Sequence, residues 1–286
     1  MTKNSSTATS LFIVPTPIGN RGDMTLRALD VLREVDVVLA EDTRVTGKLL
    51  ASFDIRARLE RCDENVIAQR SPALVERMRK GETFAFCSDA GMPGVSDPGV
   101  VLVDAVRQAG LGVEVLPGAS AVPVALVAAG FPGTAFYFGG FLPRKEKQRI
   151  ELFERLKDLD AALIFYESPH RVVASLEAMA RVFGSRRVAL CRELTKVHEE
   201  VLRLPAAELA SELAARDAIK GEIALVVEPP SADDGAATVS LAENDELKER
   251  IRAELADGKR KSEIAKELSR ELGVPKNELY DLILSL

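Results

Sequence analysis

Residues 11–28, LFIVPTPIGNRGDMTLRA, open with four apolar residues, pass through a loop with two prolines and two glycines, and enter a stretch with helical spacing. The pattern predicts a buried strand, a tight loop and an amphipathic helix with Leu26, Leu29 and Leu32 on its buried side. Because glycines at the end of a strand let the backbone approach a ligand closely, the loop is a candidate ligand loop. It fits a plain tight turn as well, and it matches neither the GxGxxG motif nor a Walker loop.

Short apolar runs alternate with helical segments from this strand onward. Nearly continuous apolar strands separated by helices are typical of a mostly parallel sheet with both faces covered. The pattern stops at a turn near residues 118–123 and then starts again without repeating the first half. We therefore expect one α/β domain at 11–120 and a second α/β domain at 121–229.

The two ends of the chain differ from this pattern. Residues 1–10 are small and polar and lack the features of a secretory signal, which predicts a disordered lead-in. Residues 230–240 have the composition of a linker. The tail at 241–286 shows two helical stretches on either side of Gly273-Val274-Pro275, which fits a helix-turn-helix or a simple helical hairpin docked on the main body. Its nine Lys or Arg and eleven Asp or Glu argue against strong phosphate binding over its whole surface.

Composition limits the class of protein. Hydrophobic residues make up 47% and charged residues 29% of the 286 residues, as in a soluble globular protein, and no apolar stretch is long enough to span a bilayer. We therefore expect a cytoplasmic protein. The three cysteines and two histidines show no metal-ligand spacing, so no metal site is expected. The net charge of −6 is unlike that of a protein that holds RNA over a broad surface, so RNA binding would need a local basic patch.

Polar loops follow the strands of the first half, at the edge where open α/β sheets bind ligands. The loop AEDTRVTGK at 40–48 is a candidate active-site cluster, although it also fits the capped start of a helix. The loop SDAGMPGVSDPG at 88–99 is rich in glycine and proline, and its Asp89 and Asp97 suit hydrogen bonds to a cofactor or a nearby positive charge. LPGASAV at 116–122 fits either a helix cap or a ligand site at a domain joint.

Three segments of the second half carry similar signals. FYESPHR at 165–171 places Glu167 at the end of a buried strand, where the pKa of a carboxyl group can rise. CRELTKVHEE at 191–200 is a charged run that fits a solvated surface or, at the end of a strand, a cleft. KGEIALVVE at 220–228 fits an edge strand whose Gly221 would let an adenine ring approach.

A basic cluster follows the aromatic run FYFGGF at 136–141 and consists of Arg144, Lys145, Lys147 and Arg149. Aromatic side chains beside basic ones suit RNA, because bases stack and phosphates pair with cations. Taken alone, the same residues also fit the exposed face of a helix.

Together, the segments VPTPIGNRGDMTLRAL, AEDTR, SDAGMPGVSDPG, LPGASA, FYESPHR and RELTK resemble the tetrapyrrole methylase family throughout 11–228. Within it they look like the branch that methylates a cytidine ribose 2′-oxygen in small-subunit ribosomal RNA. Relatives that modify tetrapyrroles carry a GxGPGD-like first loop, where PIGNRGD stands here, and a glycine-aspartate-proline loop, where Ser88-Asp89-Ala90 stands here. These departures favour the RNA branch.

The resemblance implies two α/β domains with S-adenosylmethionine in the cleft between them and a small helix-turn-helix-like C-terminal domain. It also implies a homodimer and a substrate in the decoding region of 16S ribosomal RNA, within the small ribosomal subunit. By similarity, nine residues are expected to touch the cofactor: Pro17, Gly19, Ser88, Asp89, Val95, Ser120, Ala121, Tyr166 and Ala224.

We expect in-line transfer of the methyl group, with a carboxylate that takes up the hydroxyl proton. The candidates for this base are Glu167 and Glu193, and Arg44, Arg192 and Lys196 are candidates for orienting phosphate or the 2′-oxygen. Two other functions fit parts of the sequence. One is a methyltransferase that acts on a tetrapyrrole or another small molecule, and the other is a non-catalytic regulator that senses S-adenosylmethionine and binds DNA through the tail.

Overall fold

The computed structural model describes residues 9–97, 99–231, 245–272 and 276–286. Within them, the first half of the chain forms a five-stranded sheet in the order β3-β2-β4-β1-β5, with every strand pair parallel. Its strands are β1 (Thr9–Ile13), β2 (Val37–Ala40), β3 (Leu59–Arg61), β4 (Phe84–Cys87) and β5 (Gly112–Val115). The helices between them are α1 (Leu26–Glu34), α2 (Thr43–Ala51), α3 (Ile67–Arg79) and α4 (Gly99–Gln108). The predicted parallel sheet is confirmed.

Helices cover both faces of this sheet. Alternate side chains of β4 enter two different clusters, with Phe84 packed among residues of α3 and α4 and Ala85 among residues of α1 and α2. In α1, Ala28, Leu29 and Leu32 are buried, but Leu26 is 80% exposed, so its predicted burial is wrong. With 3.6 residues per turn, Leu26 lies about 110° from the centre of the buried stripe.

The second half forms another five-stranded sheet among the described residues, in the order β6-β7-β10-β8-β9. Its strands are β6 (Phe136–Phe141), β7 (Ala162–Glu167), β8 (Arg187–Arg192), β9 (Glu200–Pro205) and β10 (Ile223–Val227). Only β6 and β7 pair in parallel, and the other pairs are antiparallel. The prediction of an edge strand at 220–228 is wrong, because β10 is the central strand and all five of its residues are buried. A strand that is paired on both edges and covered on both faces needs apolar side chains throughout.

Two layers of helices cover the second sheet. One face packs against α6 (Glu146–Leu156), α7 (Val172–Phe183) and α8 (Ala206–Ala214), and the other packs against α5 (Ala121–Ala129). The cluster under α5 also takes in Ile18, from the loop after β1, so the first glycine loop contacts the second sheet. The predicted domain boundary after residue 120 stays a prediction, and α5, which begins at the next residue, packs on the second sheet.

The tail contains α9 (Asp245–Ala256), α10 (Lys261–Leu272) and α11 (Lys276–Ser285). Its apolar side chains form a cluster of their own: Leu247, Ile251, Ile264, Ala265, Leu268, Leu279 and Ile283. Helices α10 and α11 lie where the sequence predicts them, and α9 was not predicted. The predicted lead-in up to residue 8, the linker from 232 onward and the turn at 273–275 lie outside the described residues. Among the helices described, none combines the length and apolar character needed to cross a membrane.

Candidate active site

A cavity of about 490 Å³ is lined by loops from both sheets. The first sheet contributes the residues that follow β1, β2 and β4, where the carboxyl ends of parallel strands meet. The second sheet contributes the ends of β6, β7 and β8 and the start of β10. Sites for small ligands have volumes of about 300–1,000 Å³ and favour such joints and strand ends.

The structure gathers most of the predicted cofactor residues around this cavity. Seven of the nine line it: Ser88, Asp89, Val95, Ser120, Ala121, Tyr166 and Ala224. The other two, Pro17 and Gly19, line an adjoining pocket of about 250 Å³ that also contains Ser88 and Asp89. Their individual contacts with a cofactor stay predictions, but residues far apart in sequence are brought to one place.

The two glycine-containing loops of the first half hold each other in position. Thr16 and Gly91 exchange two backbone hydrogen bonds of 3.0 and 2.9 Å, and the Thr16 hydroxyl donates to the Ser88 carbonyl at 3.1 Å. Asp97 accepts hydrogen bonds from the backbone N–H of Gly94 at 2.5 Å and of Gly99 at 2.9 Å. The Asp97 carboxylate therefore stabilises the fold of its own loop, and both Asp97 and Asp89 line the cavity.

Two carboxylates of the cavity, Glu41 and Asp89, lie in an electrostatically unfavourable position. Burial raises the pKa of each, and the charge of Asp89 raises the pKa of Glu41 further. The backbone N–H of Asp89 donates to Glu41 at 3.4 Å, and Asp89 accepts from the N–H of Asp42 at 3.1 Å. A positive charge in the cavity would stabilise the ionised form of both carboxylates. Glu41 belongs to the candidate active-site cluster predicted at 40–48, directly after the fully buried β2, although no specific role was predicted for it.

Glu167 is surrounded by its own hydrogen-bond partners. Its side chain is 0% exposed, and its oxygens accept from Ser168 N at 2.7 Å, from Ser175 Oγ at 2.5 Å and from Arg171 at 2.6 Å. Arg171 in turn donates to the carbonyl of Leu142 at 3.3 Å. The predicted position of Glu167 at the end of a buried strand is confirmed, and hydrogen bonds join its carboxylate to the start of α7.

A second polar network joins the loop after β8 to the start of β10. Lys196 Nζ lies 2.7 Å from Glu193 Oε1 and 2.8 Å from Glu222 Oε2, and Glu193 Oε1 also accepts from Glu222 N at 2.9 Å. The hydrogen bond from Lys196 lowers the pKa of Glu193. Burial alone would lower the pKa of Lys196, but the two carboxylates outweigh it and raise that pKa.

This network contacts the first glycine loop directly. A Cβ atom on Gly19 would lie 2.5 Å from Lys196 Cγ and 2.7 Å from Thr195 Oγ1, and Asn20 N donates to Thr195 Oγ1 at 3.0 Å. Glu193 and Thr195 have φ angles of +53° and +65°, a conformation that costs residues with a side chain free energy and that collects at functional sites. Gly19 therefore permits close packing between loops of the two sheets.

The remaining two candidates lie elsewhere. Arg44 pairs with Asp42 at 2.6 Å and its side chain is 85% exposed. Arg192 pairs with Glu200 at 2.8 Å and lines, with Glu193, a separate pocket of about 360 Å³. Arg216 and Arg192 hold the pKa of Glu200 at about 2. The five predicted catalytic residues are therefore not one cluster: Glu167 lines the main cavity, Lys196 lines the pocket beside it, and Glu193 lines the separate pocket with Arg192.

The chain resembles known proteins in both sequence and fold. A model of the family described as Tetrapyrrole (Corrin/Porphyrin) Methylases matches residues 10–210. The chain is 42% identical over 273 residues to the ribosomal RNA small subunit methyltransferase I of Halalkalibacterium halodurans, across 96% of this chain and 94% of that one. It is 48% identical over 219 residues, 76% of each chain, to the protein of the same name from Vibrio cholerae. A solved structure of uroporphyrin-III C-methyl transferase from Thermus thermophilus, complexed with S-adenyl homocysteine, shares the fold, with a TM-score of 0.52 and 18% identity over 76% of this chain and 96% of that one.

Proposed function

Because this chain belongs to the tetrapyrrole methylase family, we infer that it is an S-adenosylmethionine-dependent methyltransferase, and we propose that it acts on ribosomal RNA of the small subunit. The similarity to the relatives named for that activity extends past the 10–210 region of the family model, over 96% of the chain. Within this function we propose a finer assignment, in which the acceptor is the ribose 2′-hydroxyl of a cytidine in the decoding region of 16S ribosomal RNA.

One observation carries the enzymatic part of the proposal. Loops that lie between Ile18 and Ala224 in the sequence meet around a single cavity of about 490 Å³. Its walls combine apolar side chains such as Val95 and Leu194 with the desolvated carboxylates Glu41 and Asp89. This combination fits S-adenosylmethionine, because the apolar walls suit its adenosine and the carboxylates balance its positive charges.

When bound, the cofactor supplies an activated methyl group. The chain's contribution is to hold the two reactants in line, which lowers a barrier by about 7–11 kcal/mol in well-oriented reactions. The mutual hydrogen bonds of Thr16 and Gly91 and the internal bonds of Asp97 give the cofactor loops a fixed shape. Small side chains at Ser120 and Ala121 leave room for close contact at the joint of the two sheets.

Methylation of a hydroxyl group also releases a proton, which a carboxylate must accept. We assign that role to Glu193, which the lowered pKa keeps ionised at neutral pH. The ammonium group of Lys196, beside it at 2.7 Å, would stabilise negative charge that develops on the ribose oxygen. Tyr166 is excluded as the base at neutral pH, because burial raises its pKa to about 12. Glu41 is the alternative base, since its raised pKa makes it the more basic carboxylate.

The other predicted residues receive supporting roles in this proposal. Arg44, whose side chain is 85% exposed, and Arg192, which lines the separate pocket of about 360 Å³, would contact RNA phosphates. Glu167 holds Arg171 and the start of α7 rather than the reacting groups. We also propose that the protein acts as a homodimer in the cytoplasm, where small ribosomal subunits are found.

Methyl transfer to defined substrates tests the function. Labelled S-adenosylmethionine would be incubated with the protein and with small ribosomal subunits from cells that lack it, with the naked 16S RNA, or with a porphyrinogen. We expect label in the RNA of one of the first two. Label in the porphyrinogen alone would replace RNA by a small-molecule substrate. Binding of the cofactor and of duplex DNA without any transfer would indicate a regulator.

The Glu193→Gln and Glu41→Gln variants separate the two base assignments. Loss of the base should lower kcat by about 10²–10⁴-fold with cofactor binding retained. We expect this result for Glu193→Gln, whereas Glu41→Gln should mainly weaken cofactor binding. The reverse pattern would identify Glu41 as the carboxylate that accepts the proton.

A further inference from the structure

Strand β6 contains a bulge just before Phe141, its last residue, which lines the cavity. Its register with β7 shifts between Phe138 and Phe141. In a regular strand, residues three positions apart point to opposite faces of the sheet. Here the ring centroids of Phe138 and Phe141 both lie close to Tyr166, at 5.0 and 5.4 Å. The extra residue of the bulge therefore brings Phe141 to the face of the sheet that carries the cavity.

Two glycines make this bulge possible. Gly140 has a φ of +66°, which a residue with a side chain rarely adopts. A Cβ atom on Gly139 would lie 2.5 Å from Cε1 of the buried Phe165 ring. Without the bulge at Gly139-Gly140, the side chain of Phe141 would point to the face of the sheet opposite the cavity.

Phe141 is an exposed aromatic side chain at the mouth of the cavity. It lines the cavity and is nevertheless 61% exposed, while Tyr166 packs against one side of it. Isolated apolar residues on a surface are ordinary, but an exposed ring at the edge of a cavity that also contains carboxylates offers a flat surface to a ligand.

The backbone after Phe141 is held in place by two arginines. Leu142 N donates to the Tyr166 carbonyl at 3.2 Å, and Arg171 donates to the Leu142 carbonyl at 3.3 Å. Arg149 is 5% exposed and donates to the carbonyls of Pro143 at 3.1 Å and Arg144 at 2.9 Å. Of the predicted basic cluster, Arg149 is therefore a buried support for this loop and not a surface cation.

Two cations remain exposed on the supported loop. Lys147 lies 3.9 Å from Glu151, but Arg144 and Lys145 are exposed and make no ion pair among the described residues. They follow Phe141 by three and four positions. An exposed ring with unpaired cations beside it matches the way proteins hold single-stranded RNA, by stacking on a base and pairing with its phosphates.

We propose that Phe141 is a stacking platform for a nucleobase of the RNA strand that enters the cavity, and that Arg144 and Lys145 contact the adjoining phosphates. The assignment rests on the proposed function, since the occupant of the platform is the RNA substrate. Phe141 acts on RNA recognition and not on the chemistry, because it carries no group that exchanges protons. An aromatic replacement should preserve the platform and an aliphatic one should remove it.

Methylation kinetics with small ribosomal subunits from cells that lack the protein test this proposal. Phe141→Ala should raise KM for the subunits on the order of 10- to 100-fold, and Phe141→Trp should stay within about threefold of the unaltered chain. Phe136→Ala is the matched control, because Phe136 lies on the same strand and is 49% exposed but does not line the cavity. The double variant Arg144→Gln, Lys145→Gln should reduce the dependence of KM on salt.

Three results would overturn the proposal. The first is an unchanged KM for Phe141→Ala, or an equal rise for Phe136→Ala. The second is a loss of S-adenosylhomocysteine binding to Phe141→Ala by calorimetry, which would make the ring a cofactor contact. The third is dissociation of an oligomer on sedimentation of Phe141→Ala, which would make it a subunit contact. Failure of the unaltered chain to methylate any RNA would instead refute the proposed function.

Discussion

Replacement of Glu167 distinguishes a supporting role from a catalytic one. Its carboxylate is 0% exposed and accepts three hydrogen bonds, one of them from the Arg171 guanidinium at 2.6 Å. Removing one member of a buried ion pair costs about 3–5 kcal/mol, because the partner charge is left uncompensated. We therefore expect Glu167→Ala to lower the free energy of unfolding by about 3–5 kcal/mol. Ser175→Ala, which removes one hydrogen bond to the same carboxylate, should cost about 1.5–3 kcal/mol.

The assay is urea unfolding followed by circular dichroism, with methyl transfer measured on the same preparations at a temperature where each variant is folded. Glu151→Ala is the control, since Glu151 is an exposed residue of α6 and should change stability by less than about 0.5 kcal/mol. A supporting role for Glu167 is refuted if Glu167→Ala unfolds at the same urea midpoint as the unaltered chain while its kcat falls more than about 100-fold. That result would restore Glu167 as the proton acceptor.

Three further predictions concern the charges and the packing of the site. Burial raises the pKa of Glu41 and Asp89, so their contribution to the free energy of unfolding is fully present below about pH 4 and is lost as the pH rises through the raised pKa values. In urea unfolding, Glu41→Gln and Asp89→Asn should therefore lose less stability over this pH range than the unaltered chain does. Both variants should also weaken S-adenosylhomocysteine binding in calorimetry. Arg216 and Arg192 hold the pKa of Glu200 at about 2, so the stabilisation that its carboxylate provides is present above about pH 4.5 and is lost as the pH falls toward 2. The difference in the free energy of unfolding between Glu200→Gln and the unaltered chain should therefore shrink as the pH falls over that range. Gly19→Ala should displace the loop that carries Lys196, because its Cβ would lie 2.5 Å from Lys196 Cγ, and a fall in kcat/KM without loss of the fold by circular dichroism is the expected result.

Local patterns predicted the elements of the fold more completely than their arrangement. The buried strand and the helix predicted on either side of the loop in 11–28 are present as β1 (Thr9–Ile13) and α1 (Leu26–Glu34), because an apolar run, a glycine loop and helical spacing follow one another there. The same patterns misplaced β10, since an apolar run is equally consistent with an edge strand and with a central one. They also misplaced Leu26, because a stripe of three leucines was assumed where the buried side is centred on Ala28, Leu29 and Leu32.

In the site, too, the sequence predicted local features but not the contacts between residues that are far apart in the chain. Glycines and carboxylates at strand ends correctly indicated where a cavity would form, as Gly91 and Asp89 illustrate. The partners of those residues were beyond prediction, because they come from distant parts of the chain. Gly19 packs against Lys196, and the carboxylate of Asp89 accepts a hydrogen bond from the backbone N–H of Asp42. Spacing in the sequence contains no information about such pairs.

The most direct test of the account is the nucleoside composition of 16S RNA methylated by this protein. Small subunits from cells that lack the protein would be treated with labelled S-adenosylmethionine, and the RNA would be digested and analysed by chromatography and mass spectrometry. We expect one labelled product, 2′-O-methylcytidine, located in the decoding region, and little of it with the Glu193→Gln variant. Label on a base, on another nucleoside or at several unrelated positions would contradict the proposed reaction at the ribose of a single cytidine.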